Sequence, residues 1–148
     1  MTDYVMLNQS LAALSDGIRH PVTVLANASA LLYDSLDHVN WAGFYLLADG
    51  ELILGPFQGK PACTKIAIGK GVCGTAAAER KTQLVPNVHD FPGHIACDSA
   101  SNSEIVIPIY KAADIFGVLD IDSPVTGRFT PEDQTGLEAF VRTLEQYL

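Results

Sequence analysis

Two stretches near the start of the chain repeat their apolar residues every three or four positions: Val5, Leu7, Leu11 and Leu14 between Tyr4 and about Leu14, then Val24, Leu25, Leu31 and Leu32 between Pro21 and about Leu36. That spacing lines one side of a helix, so two amphipathic helices are expected, the second with Pro21 in its first turn, where an N–H has no partner in any case. The pattern then changes. Trp41 to Leu47 and Glu51 to Phe57 are aromatic and aliphatic runs joined through Asp49-Gly50, a pair suited to the positive φ angles of a hairpin turn. Gly55, Pro56, Gly59 and Pro61 interrupt the second run, and a short strand is expected at about Thr64 to Ile68. After Gly69 and Gly71 a helix is expected from Val72 through Ala76 to Arg80, followed by a brief strand at Leu84-Val85. Glu104 to Tyr110 and Ile115 to Ile121 read as neighbouring buried strands. Pro131 to Leu148 reads as a closing helix, with Thr130 as its cap and Pro131 in its first turn.

Helices at both ends around a run of short strands describe an α+β architecture: an antiparallel sheet with the N- and C-terminal helices packed on one face and the other face left to form a ligand pocket. At 148 residues and 15.8 kDa, with 48% hydrophobic residues, the chain suits one domain spanning residues 1–148. The formal charge of -8 and the scattering of only nine Lys and Arg argue against nucleic acid as a partner. No apolar run approaches the roughly 18 residues of a membrane span, and the start of the chain does not resemble a signal peptide, so a soluble, cytoplasmic protein is expected. Three cysteines in such a chain do not make a structural disulfide framework. In a reducing compartment they are more often catalytic, redox-active or metal-bound.

The segment from His89 to Glu104, HDFPGHIACDSASNSE, has neither period. It concentrates two histidines, a cysteine and the acids Asp90, Asp98 and Glu104. A loop this long inside a compact domain usually carries function, which makes Cys97 a candidate nucleophile. Cys73, in GKGVCGT at the start of an expected helix, competes with it, because a helix N-terminus favours a thiolate. The same segment does not complete a phosphate-binding loop, since no Ser or Thr follows Gly69-Lys70-Gly71 at the required place. Cys63, expected at a strand edge after Pro61, on its own more often reads as a small buried hydrophobe. The cysteine spacings contain no CxxC pair, so a structural metal is not expected. His94, three residues before Cys97, suits either a Cys–His dyad or a hydrogen-bonding strut. In Leu119-Asp120-Ile121-Asp122 the two carboxylates share a strand face with Val118 and Phe116. They read either as ordinary turn acids or as a coupled pair able to keep a proton. Trp41, Gly43 and Tyr45 also share a face, either as core aromatics or as a ligand wall in which Gly43 makes room.

Taken together, NWAGFYLL, GPFQGKPACTKI, GKGVCGTA, HDFPGHIACDSASNSEIVIPI and GVLDIDSP resemble the free methionine-R-sulfoxide reductase family, whose fold is a GAF domain. The resemblance covers about Asn40 to Thr130 and implies a single GAF domain that reduces the R-sulfoxide of the free amino acid. By that resemblance Cys97 is the catalytic cysteine, Cys63 the main resolving cysteine and Cys73 a second one that assists. Glu104, Asp120 and Asp122 correspond to the acidic cluster of the pocket, and Trp41 and Tyr45 to its aromatic wall. The implied cycle needs no cofactor or metal. Cys97 attacks sulfur while Asp120 or Glu104 protonates the oxygen, the sulfenic acid condenses with Cys63, and a thioredoxin-type dithiol reopens the disulfide. Remaining carboxylates would hold the substrate ammonium, and backbone amides around Ile95, Ala96 and Cys97 its carboxylate. A homodimer built from the terminal helices is expected on the same ground. Two rivals remain at this point: a non-catalytic GAF module that binds a small ligand, and a sensor that switches through a reversible Cys63–Cys97 disulfide.

Overall fold

The computed structural model describes residues 2–94 and 100–148. Helices α1 (Tyr4–Ser15) and α2 (Pro21–Ser35) precede the hairpin of β1 (Trp41–Ala48) and β2 (Glu51–Gly59). Then come β3 (Lys65–Ala67), α3 (Gly71–Glu79), β4 (Gln83–Val85), a single 3-10 turn at Val88–Asp90, β5 (Ser103–Lys111), β6 (Asp114–Ser123) and α4 (Pro131–Glu145). The strands form one antiparallel sheet in the order β3-β2-β1-β6-β5-β4. Among the described residues no helix is long and apolar enough to cross a membrane.

Strand alternation sorts the side chains into two layers. Ala42 and Phe44 of β1, Ile105 and Ile107 of β5, and Leu119 and Ile121 of β6 point to one side. There they are buried against Leu11 of α1, Leu25 and Leu32 of α2, and Leu137, Phe140 and Leu144 of α4. Trp41, Tyr45, Val106 and Val118 point to the other side, where Val72, Cys73 and Ala76 of α3 meet them. The expected α+β sandwich is therefore present, with the terminal helices on one face and α3 with the connecting segments on the other.

Two irregularities depart from the simple pattern. Gly55 and Pro56 do not end β2. The register passes from Gly43 opposite Phe57 to Tyr45 opposite Leu54, so β2 carries one extra residue there and continues to Gly59. Proline is tolerated because β3 pairs only with Glu51 to Ile53, leaving the other edge of β2 free beside Pro56. The second bulge lies where Ile109 faces Gly117 but Tyr110 faces Ile115, which leaves Phe116 unmatched. Phe116 was expected beside Asp120 and Asp122. The extra residue resets the alternation, and the ring packs instead with the helix-side core. Arg80, expected as the last helical residue, is the left-handed cap of α3 at φ 54°, and α4 stops at Glu145 rather than at Leu148.

The helical layer is fastened at one buried carboxylate. Asp133 accepts from the Tyr4 hydroxyl at 2.6 Å, from the Thr130 amide at 2.9 Å and from Arg128 at 3.1 Å, and it completes a capping box with Thr130. Gly136 permits this approach, since a Cβ there would sit 2.3 Å from Tyr4 Cγ. Burial pushes the Asp133 carboxyl upward, but the hydrogen bonds from Tyr4 and Thr130 and the charge of Arg128 outweigh it and hold the group below the ordinary aspartate range. A carboxylate lowered on folding adds stability above the unfolded value of about 3.9 and loses it as the pH falls through the folded value. Asp133→Ala is expected to cost about 2 kcal/mol at pH 7. In urea titrations the gap from wild type should narrow once the pH is taken below about 3.9.

Candidate active site

Register across three neighbouring strands assembles the site. Glu104 of β5 lies opposite Asp122 of β6, and Val106 opposite Asp120. Across the other edge of β6, Trp41 faces Asp122, Gly43 faces Asp120 and Tyr45 faces Val118. Alternate positions of β1, β5 and β6 thus place three carboxylates and two aromatic rings on the same face. With Cys73, His94 and Lys70 they line a cavity of about 40 Å³.

The aromatic side is packed and tied down. Trp41 stacks on Tyr45 at 5.9 Å between ring centroids and on Phe57 at 5.1 Å. Its indole N–H donates to the Lys60 carbonyl at 3.1 Å, and the Tyr45 hydroxyl donates to the Cys63 carbonyl at 2.8 Å. The Leu54 amide donates to the Thr64 carbonyl at 3.0 Å, so the segment carrying Cys63 is held at both ends against the hairpin. The space over Gly43 is not left for a ligand. A Cβ there would lie 2.2 Å from Phe57 Cβ and 2.9 Å from Trp41 Cη2, so the glycine makes room for the aromatic stack itself. Phe57 escaped notice in the sequence because only the bulge at Gly55-Pro56 brings it opposite Gly43.

The acidic side is almost dry, with Glu104 8% and Asp120 6% exposed. Burial, then the charges of Asp120 and Asp122, push the Glu104 carboxyl well above the ordinary range. Burial also raises Asp120, against the opposing effect of hydrogen bonds from Glu104, Asp122 and Cys73. Charged carboxylates this close in a dry site repel, so the cluster binds protons more tightly than free carboxylates do. Cys73 reverses the expectation attached to its place near a helix start. It is the third residue of α3 and 4% exposed. Burial first, then Asp120 and Glu104, hold its thiol well above the usual range, so the carboxylates and the dry surroundings override the helix end.

Cys63 is half-buried and disulfide-bonded, whereas Cys73 carries a free thiol. Cys97 lies outside the described residues, as do Ile95 and Ala96. His94 stands at the cavity wall, its proton affinity lowered by burial and then by His89, whose ring is 6.3 Å away. His89 in turn has Nε2 at 3.1 Å from Asn102 Oδ1. Among the described residues, Cys73, Glu104 and Asp120 are the set whose donor atoms lie close enough to share a metal ion.

The sheet order, the helical layer on one face and the enclosed pocket on the other define a GAF domain, and the GAF family model matches residues 20–148. The free methionine-R-sulfoxide reductase of Escherichia coli K12 is 57% identical over 145 residues, covering 98% of this chain and 88% of that protein. The Saccharomyces cerevisiae protein of the same name is 48% identical, covering 93% and 81%. A structure of the Staphylococcus aureus enzyme fRMsr in reduced form superposes with a TM-score of 0.98 at 57% identity, covering 100% of this chain and 96% of that one. This chain belongs to the free methionine-R-sulfoxide reductase family of GAF proteins.

Two expectations follow from the packing and the charges. Gly43→Ala should cost about 1–3 kcal/mol in denaturant unfolding and change the Trp41 fluorescence, because the added methyl pushes Phe57 from the indole. A carboxyl raised on folding binds its proton more tightly in the native state, so stability falls as the pH rises above the unfolded glutamate value of about 4.3. Glu104→Gln has nothing to ionise there. Its unfolding midpoint should gain on wild type between pH 4 and pH 7, and an unchanged difference would contradict the raised carboxyl.

Proposed function

We propose that this chain reduces free methionine-R-sulfoxide to methionine, with Cys97 as nucleophile, Cys63 as resolving thiol and a dithiol protein of the thioredoxin type as reductant. The observation that carries this reading is a dry cluster of proton-holding carboxylates facing an aromatic wall, with the disulfide-bonded Cys63 tethered to that wall through Tyr45.

Sulfoxide sulfur becomes electrophilic when its oxygen is protonated, so a thiol nucleophile requires an acid on the far side of the S–O bond. The Cys97 sulfur attacks, Asp120 or Glu104 supplies a proton to oxygen, and methionine departs as the oxygen passes to Cys97 as a sulfenic acid. The Cys63 thiol then displaces that oxygen as water and forms the disulfide. An external dithiol reduces it by exchange, becoming a disulfide itself. Cys73 takes an assisting part in resolution, a reading that its burial among the carboxylates and its raised thiol limit to a secondary one. Asp122 and the remaining carboxylates pair with the substrate ammonium, and the amides of Ile95 and Ala96 take its carboxylate. A peptide-bound methionine has neither charge at those places, which gives selectivity for the free amino acid. Trp41 and Tyr45 enclose the methylsulfinyl end. The reducing cytoplasm suits such a cycle. The exposed Val5, Met6 and Leu14 of α1 offer a surface on which two copies could meet as a homodimer.

Incubation with each sulfoxide epimer and a thiol reductant tests the reading: the R epimer is consumed and the S epimer is not. Cys97→Ser should abolish methionine release. Cys63→Ser should release one equivalent and then stall with thioredoxin. Asp120→Asn should lower kcat by about 10²–10⁴-fold if Asp120 is the proton donor. Consumption of neither epimer would favour a binding or sensing module instead.

A further inference from the structure

Cys73 brings sulfur into an otherwise all-oxygen acidic cluster, and an ammonium group gains nothing from a thiol. We propose that the reduced, substrate-free pocket binds one thiophilic divalent cation, of the zinc or cadmium type, through Cys73, Glu104 and Asp120, and that this cation competes with the substrate.

Three separate elements supply the donors: α3 gives Cys73, β5 gives Glu104 and β6 gives Asp120. One donor atom from each lies within 4.8 Å of the others. Metal–sulfur bonds of about 2.3 Å and metal–oxygen bonds of about 2.0–2.2 Å place tetrahedral donors roughly 3.5 Å apart, so small side-chain rotations close the set. A second observation points the same way. Asp120 Oδ1 is buried with no hydrogen-bond partner among the described residues, at a residue that lines the cavity. A buried carboxylate oxygen left without a donor is costly, and a cation would satisfy it. The donor set decides the kind of ion. Magnesium and calcium take oxygen alone, whereas one sulfur with two carboxylates suits a borderline-soft ion with water in the fourth place. On binding, the Cys73 S–H bond and the O–H bond of the protonated carboxyl break, both protons leave to solvent, and sulfur–metal and oxygen–metal bonds form, with no electron transferred. Competition rests on the reductase reading, because the same carboxylates would otherwise hold or protonate the substrate. Binding itself does not.

The test uses the Cys63→Ser/Cys97→Ser double variant, in which Cys73 is the remaining thiol, titrated with cadmium alone. One cadmium per chain should bind with the ultraviolet sulfur-to-cadmium charge-transfer band, and that band should vanish when Cys73→Ser is added. Glu104→Gln, and separately Asp120→Asn, in the double variant should weaken binding by about tenfold or more while the circular dichroism stays native. Equal affinity with and without Cys73, or a band unaffected by both carboxylate changes, would overturn the site. In wild type, zinc should raise the apparent KM for methionine-R-sulfoxide without lowering kcat, and inhibition that excess substrate does not relieve would overturn competition. Because the cadmium titration needs no turnover, a Cys73-dependent band in the double variant, found alongside a wild type that consumes neither epimer, would sink the reductase reading and leave the cation site standing.

Discussion

Holding the carboxyl groups of Glu104 and Asp120 out of water beside Asp122 on one face of a sheet is unfavourable unless protons, hydrogen bonds or a bound cation compensate, and the architecture of this chain is arranged around that condition. Glu104, Asp120 and Asp122 meet because β5 and β6 are in register. Glu104 and Asp120 are buried there, beside Cys73 of α3 and the rings of Trp41 and Tyr45, which line the same cavity. The consequence is a group of acids that keep protons at a pH where free carboxylates have lost them, together with a thiol, Cys73, that is not a thiolate. The raised carboxyls and the raised thiol therefore have one physical cause.

Such a site tolerates its own cost because the opposite face of the same strands is apolar. Ile105, Ile107, Leu119 and Ile121 alternate with the acids and are buried under α1, α2 and α4. Each strand thus contributes to a conventional core and to a polar pocket in successive residues. A shift of one residue in the pairing would exchange the two faces. The bulge at Phe116 lies away from the acids and absorbs an irregularity there, so the stretch from Val118 to Asp122 keeps its alternation.

The segment carrying Cys63 is bound to the pocket rather than merely near it. Tyr45 belongs to the ligand wall through its ring and holds the Cys63 carbonyl through its hydroxyl. Trp41 does the same for Lys60. These polar edges couple the position of the disulfide-bonded Cys63 to the rings that line the cavity, so the aromatic wall is a structural brace as well as a surface.

Much of this was legible in the residues alone. Period three-to-four and period two located the helices and strands, Asp49-Gly50 the hairpin, and Thr130-Pro131 the start of α4, because these signals are local and need only neighbouring residues. The alternation of Asp120 and Asp122 and the shared face of Trp41 and Tyr45 are local too. What the residues did not reveal requires pairing across the sheet: that Gly43 serves Phe57, that Gly55-Pro56 is a bulge within β2, and that Phe116 turns away from the acids. Cys73 shows the difference most plainly. Its position near a helix start, read along the chain, favours a thiolate. Burial beside two carboxylates from distant strands, which only folding brings together, makes it a thiol, since loss of water first and the nearby charges second outweigh a helix end.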